Sequence, residues 1–167
     1  MKKLNIIKEL SNWIFKVEKV VAMILCTVML SSLSAGVVFR YVLKSPLVWS
    51  DEVAILCLVW ITFIGGSMGV KLNNLAAITF LIERLNDKPR KIFTLLGIII
   101  TLLFVGTIVY ISFGWLSSPN IALQKTASIG MPMIYGYLSI PVSFSFMLVH
   151  LVDLIFSNLK SKGGAET

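Results

Sequence analysis

The chain has 167 residues, of which 57% are hydrophobic and only 14% charged; a globular domain is charged at about a quarter of its positions. That balance excludes a soluble domain and points to an integral membrane protein. The net charge of +7 calls for no nucleic-acid partner, because basic residues beside membrane spans serve topology and attraction to anionic lipid.

Residues 4–17, LNIIKELSNWIFKV, open the chain with an amphipathic pattern. Leu4, Ile7, Leu10, Ile14 and Val17 recur every three or four residues against Lys2, Lys3, Lys8 and Lys16. The spacing predicts a helix lying in the membrane interface ahead of the first span.

The first uncharged run covers 20 residues, 20–39, enough to cross a hydrocarbon core of about 30 Å. Lys2 and Lys3 resemble the start of a signal peptide, but 19 mostly polar or amphipathic residues come before the run. A signal core is shorter, about 7–15 residues, so the run is expected to be a retained helix. Ser32 and Gly36, and likewise Ser31 and Ala35, have the four-residue spacing of small residues that lets helices approach closely in lipid. Arg40 and Lys44 end this span.

Trp49-Ser50-Asp51-Glu52 opens the second run, uncharged over 18 residues, 53–70. Ser50 is the expected N-cap, which puts both carboxylates in the first turn. There they meet free backbone N–H groups and the positive dipole end, each worth about 0.3–1 kcal/mol when exposed. Trp49 sits at the level of an aromatic belt, and Arg40 or Lys44 is within reach of an ion pair across the loop. The acids read first as a helix start and, compatibly with that, as an electrostatic contact for a partner at the outer surface. Gly65, Gly66 and Gly69 then give a second small-residue face, with GxxxG spacing.

Residues 72–87, LNNLAAITFLIERLND, carry a stripe of Leu75, Ile78, Ile82 and Leu85 behind Asn73 or Asn74 as cap. About 12 helical residues reach only about 18 Å, so this unit is expected to be an interfacial helix over 74–86. Two further uncharged runs, 92–124 and 126–152, supply the third and fourth spans, with Pro119-Asn120 terminating the third. Pro132 suits the first turn of the fourth span. Pro141 falls inside it and is expected to kink it by freeing the carbonyl of Tyr137.

The basic residues set the orientation. Lys2, Lys3, Lys8, Lys16 and Lys19, then Lys71, Arg84, Lys88, Arg90 and Lys91, then Lys160 and Lys162 fall on one side; only Arg40, Lys44 and Lys125 fall on the other. The positive-inside rule puts both termini in the cytoplasm. The expected fold is all-α, an integral membrane protein of four transmembrane helices near 19–42, 50–71, 90–116 and 131–156. The two interfacial helices complete one membrane domain over 1–160, followed by a loose cytoplasmic tail, 161–167.

Few chemistries survive this reading. His150 is the sole histidine, which excludes bis-histidine haem, and a plain interface hydrogen bond is expected of it. Cys26 and Cys57 stand alone in different spans, without a CxxC pair. Acids and bases lie at or beyond the helix ends, Glu18 at the cytoplasmic edge of the first span, whereas a pump, protease or exporter needs ionisable groups in mid-membrane. No catalytic residue, cofactor or metal site is therefore assigned.

Arg40-Tyr41, Trp49-Ser50-Asp51-Glu52, Trp60 followed by Phe63-Ile64-Gly65-Gly66, and Ser139-Ile140-Pro141 together resemble the small membrane subunit of TRAP (tripartite ATP-independent periplasmic) transporters. The resemblance runs over nearly the whole chain, in order and spacing. Asn74-Leu75 stands where the family has a histidine, Ser143 displaces a glycine after Pro141, and Asp51 takes a place often held by Glu. The resemblance implies a non-catalytic scaffold in the bacterial inner membrane. Its implied partners are a large elevator-type membrane subunit, which holds the sodium ions and substrate, and a periplasmic substrate-binding protein, alongside membrane lipids. Substrates of such systems include sialic acid and C4-dicarboxylates. The alternative is a stand-alone four-helix exporter or membrane enzyme. Substrate, stoichiometry and the helix faces that meet the large subunit are not encoded in any motif of the chain.

Overall fold

The computed structural model describes residues 2–72 and 87–160. Its described helices are α1 (Lys2–Tyr41), α2 (Val48–Lys71), α3 (Asp87–Leu116), α4 (Pro119–Ala122), α5 (Ile134–Tyr137) and α6 (Ser139–Lys160). Among the described residues the only extended pairing is an isolated antiparallel bridge between Lys125 and Pro132. Among the described residues four stretches are long and apolar enough to cross a membrane: Ile6–Tyr41, Val48–Lys71, Ile92–Leu116 and Ile134–Ser157. The all-α, four-span architecture expected from the sequence is the one observed. The expected interfacial helix 74–86 and the tail 161–167 lie outside the described residues.

Two boundaries differ from expectation. Residues 4–17 do not form a helix of their own. They are the first part of α1, which runs unbroken for 40 residues, or about 60 Å, twice the thickness of a hydrocarbon core. The reason is local: no glycine or proline occurs before Gly36, so nothing in this stretch ends a helix. The second helix begins at Val48 behind Leu47, with no side-chain cap. Ser50, expected as the N-cap, lies inside the first turn and turns its hydroxyl back to the Leu47 carbonyl at 2.8 Å.

α1 and α2 run antiparallel and in step. Lys71 Nζ donates to Ser11 Oγ at 2.7 Å near one end, and Ser32 Oγ donates to the Ser50 carbonyl at 2.9 Å near the other. The same interval of 21 residues separates the two contacts on each helix. α6 packs against α2, α3 and α1, while the main neighbour of α3 is α6. Val70, Ile98, Val105 and Leu151 form the core of this junction, flanked by Leu102, Phe144, Met147 and Leu148. Phe63 and Phe144 add a tilted ring pair at 5.9 Å. The other face of α3 leaves Phe93, Leu103, Phe104 and Tyr110 exposed, as suits a helix solvated by lipid rather than water.

The last span is interrupted at Leu138, between α5 and α6. Pro141 is buried in the first turn of α6, where a missing N–H is tolerated. Side-chain donors serve the carbonyls around the interruption. Trp60 Nε1 donates to the Tyr135 carbonyl at 2.9 Å, and Ser139 Oγ donates to that of Gly136 at 2.6 Å. This is the usual way a span tolerates irregular backbone away from water.

Candidate functional site

At the Asp51 end of the bundle the residues singled out from the sequence take separate roles. Arg40 and Asp51 face each other at 3.4 Å, with both side chains more than half exposed. A pair so open to water contributes about 0–1 kcal/mol. Trp49 is 46% exposed on the same end. Glu52 turns away from them. Its Oε1 accepts the Ser128 N–H at 2.6 Å and its Oε2 the Ile129 N–H at 3.1 Å. Those two amides belong to a tight loop. In it the Thr126 N–H donates to the Met131 carbonyl at 2.9 Å, the Met131 N–H returns to Thr126 Oγ1 at 3.0 Å, and Gly130 supplies a φ of +68°. Two neighbouring acids thus do different things: Asp51 is a surface charge, and Glu52 fastens α2 to the loop ahead of the last span.

The two small-residue faces also separate. Gly36 lies under Ser50, and a Cβ there would come within 2.5 Å of Ser50 Oγ. Together with the bond from Ser32 to the Ser50 carbonyl, this makes Ser32 and Gly36 the place where α1 meets the start of α2. Gly66 approaches Met147 Cε, at 3.7 Å from an added Cβ, but Gly65 and Gly69 have nothing within 4 Å. Among the described residues nothing covers their side of α2.

The most concentrated chemistry lies at the Lys71 end, in residues the sequence did not bring together. Lys71 Nζ donates to Asp153 Oδ2 at 2.7 Å as well as to Ser11 Oγ. Ser11 Oγ is 2.8 Å from His150 Nδ1, and His150 Nε2 is 3.1 Å from Glu18 Oε2. Ser11, Glu18 and His150 are closed to solvent, at 0%, 1% and 1% exposure; Lys71 and Asp153 are nearly so. The ammonium can only donate, so Ser11 Oγ and Asp153 Oδ2 accept from Lys71, while the directions of the Ser11–His150 and His150–Glu18 bonds follow the tautomer of the ring. Glu18 Oε1 is buried without a hydrogen-bond partner, as are Ser67 Oγ and Ser143 Oγ.

This cluster goes beyond the plain interface bond expected of His150, whose ring meets both Ser11 and Glu18. Glu18 lies just ahead of the uncharged run 20–39. It is seven residues, about 10 Å of helix, further along the bundle than Ser11. The inward face of lower α1 is Ser11, Ile14 and Glu18, while Ile6, Leu10 and Trp13 are exposed. Of the apolar stripe read from the sequence, Ile14 is buried, Ile7 and Val17 are half-buried and Leu10 is exposed, and the polar Ser11 and Glu18 turn in beside Ile14. The i, i+3, i+7 spacing of Ser11, Ile14 and Glu18 was visible in the sequence, but a stripe of mixed polarity carries no signal until a partner helix supplies Lys71 and His150. Among the described residues no three His, Cys, Asp or Glu side chains converge as a metal site.

Residues 29–161 match the family model of the DctQ component of tripartite ATP-independent periplasmic transporters. The chain is 25% identical over 154 residues to the sialic acid TRAP transporter small permease protein SiaQ of Vibrio cholerae, covering 92% of this chain and 88% of that protein. It is 31% identical over 110 residues to the C4-dicarboxylate TRAP transporter small permease protein DctQ of Rhodobacter capsulatus, covering 66% of this chain and 48% of that protein. It is also 26% identical over 150 residues to the sialic acid TRAP transporter permease protein SiaT of Haemophilus influenzae, where 90% of this chain covers 24% of that protein.

Proposed function

The chain belongs to the family of the DctQ component of TRAP transporters, a multi-pass protein of the inner membrane, and from that premise we propose that it is the non-catalytic small subunit of a sodium-coupled, binding-protein-dependent uptake system for an organic anion. In this role it widens the fixed scaffold beside a large subunit that carries substrate and sodium. The observation that carries the reading is its relation to two kinds of relative. One is a small permease protein of nearly its own length; the other is a permease protein about four times longer, of which this chain matches a part. A chain that stands alone in one case and matches part of a longer permease in the other is suited to sit against the remainder of that permease.

The arrangement of the helices supports a scaffold. α3 rests mainly on α6 and keeps a long apolar side uncovered, so the spans offer broad flanks to lipid and to a neighbouring subunit. The distribution of Lys and Arg supports both termini in the cytoplasm. That orientation places Arg40, Trp49 and Asp51 at the periplasmic end, as a docking edge for the substrate-binding protein. The names of the relatives favour sialic acid or a C4-dicarboxylate as the anion.

The test is co-purification followed by uptake. In mild detergent the tagged chain should carry a large membrane protein with it. Reconstituted with that protein and the binding protein, it should support anion uptake that needs an inward sodium gradient. Transport by this chain alone in liposomes would overturn the scaffold reading.

A further inference from the structure

A groove of about 940 Å³ runs along α1 beside α2, headed by Lys16 and Lys19 and walled by Val20, Met23, Cys26 and Met68. Val20 and Met23 are exposed, Cys26 and Met68 half-buried. Thr27 closes the far end, and its hydroxyl donates to the Met23 carbonyl at 2.9 Å, so its one O–H is already used. The head of the groove is cationic. Lys19 Nζ lies over the Phe15 ring, 4.9 Å from its centroid, which holds that charge at the rim. Among the described residues no carboxylate pairs with either lysine. Glu9 is seven residues and about 10 Å of helix ahead of Lys16, and Glu18 is buried in the bundle. The level of the groove is set by the span itself. Lys19 and Arg40 bracket the uncharged run 20–39, about 30 Å of helix and the thickness of a hydrocarbon core. The lysines therefore stand at headgroup level. From Lys16 to Thr27 the groove descends about 17 Å, close to the depth of one leaflet of that core.

We propose that this groove is a binding site for one anionic phospholipid of the leaflet at the Lys71 end of the bundle. Its phosphate lies between Lys16 and Lys19, and one acyl chain lies along Val20, Met23, Cys26 and Met68. Lysine binds phosphate as a compact point charge and is depleted where protein packs on protein, so a cationic head over an apolar floor suits a lipid better than a partner helix. The thioethers and the thiol are soft and adaptable, as a flexible chain requires. The bound lipid fills the space between α1 and α2 along the stretch between their two polar contacts, Lys71 to Ser11 at one end and Ser32 to the Ser50 carbonyl at the other. The inference rests on this chain's own groove and does not depend on which large subunit or substrate accompanies it.

Native mass spectrometry of the full-length chain, titrated in detergent with phosphatidylglycerol or with phosphatidylcholine of the same acyl chains, reads the preference. Phosphatidylglycerol should be held more tightly, by about fivefold for each lysine and up to about thirtyfold for both. Lys16→Gln combined with Lys19→Gln should make the two lipids equal. Lys8→Gln removes an exposed charge outside the groove and should leave the preference in place. The location is read without any variant: phosphatidylglycerol with a photoactivatable group in its acyl chain, in nanodiscs, should label residues 20–27 and Met68, and inorganic phosphate should not displace it. Equal affinity for the two lipids in the unaltered chain, a preference that falls as far in Lys8→Gln as in the double variant, or labelling confined to other helices would overturn the proposal. So would displacement by inorganic phosphate, which would mean a headgroup site without the groove, or loss of the labelling in a complex with a large subunit, which would mean that protein occupies it.

Discussion

Glu18 Oε2 lies 3.1 Å from His150 Nε2 across 132 residues of sequence, and neither side chain is reached by solvent. The contact joins the first helix of the chain to the last. Through Ser11 it continues to Lys71 on α2, so one polar chain ties three helices together.

Removing one member of that chain strands the others. His150→Ala leaves Glu18 and Ser11 buried without their partner, and breaking a buried pair in this way costs about 3–5 kcal/mol. A denaturation titration of the purified chain in mixed micelles should show the loss. A variant as stable as the parent would mean that lower α1 is not held by this contact.

The small residues predict opposite outcomes on the two faces. Gly36→Ala drives a methyl group into Ser50 Oγ and should destabilise the chain by about 1–3 kcal/mol, the usual cost of overpacking. Gly65→Ala and Gly69→Ala meet nothing and should be neutral or slightly stabilising in the isolated chain, because alanine favours helix. Comparing the three unfolding midpoints checks both halves. If Gly65→Leu leaves the chain stable but abolishes co-purification of a large subunit, the open face of α2 is where that subunit sits.

Asp51 and Glu52 should separate on substitution. Glu52→Gln removes a charge that accepts two loop amides, so protection of residues 126–131 in hydrogen exchange should fall severalfold. Asp51→Asn disturbs only a solvent-exposed pair, and stability should change by less than about 1 kcal/mol. Reduced uptake in Asp51→Asn with an intact complex would mark that acid as a docking contact.

Trp60→Phe keeps the ring but loses the donor to the Tyr135 carbonyl. The expected cost is about 1 kcal/mol, accompanied by faster exchange in α5. An unchanged α5 would show that Ser139 and the packing of Tyr137 on Trp115, with ring centroids 4.8 Å apart, hold the interruption without it.

The sequence by itself determined that the fold is helical and crosses the membrane four times. Uncharged runs of 18 residues or more leave the backbone no other way to satisfy its polar groups in lipid. It also marked Ser32, Gly36, Asp51, Glu52 and Pro141 as unusual, because small, charged or imino residues stand out against an apolar background. The tertiary structure decided what each of them touches. Glu52 serves a loop 76 residues away, Gly36 admits Ser50, and Gly65 and Gly69 remain open. The inward face of lower α1 was beyond reach of the sequence for a physical reason. In water an amphipathic helix buries its apolar side, but between lipid and other helices the polar side finds its partners inside the protein. Ser11 and Glu18 turn inward only because α2 and α6 bring Lys71 and His150 to meet them.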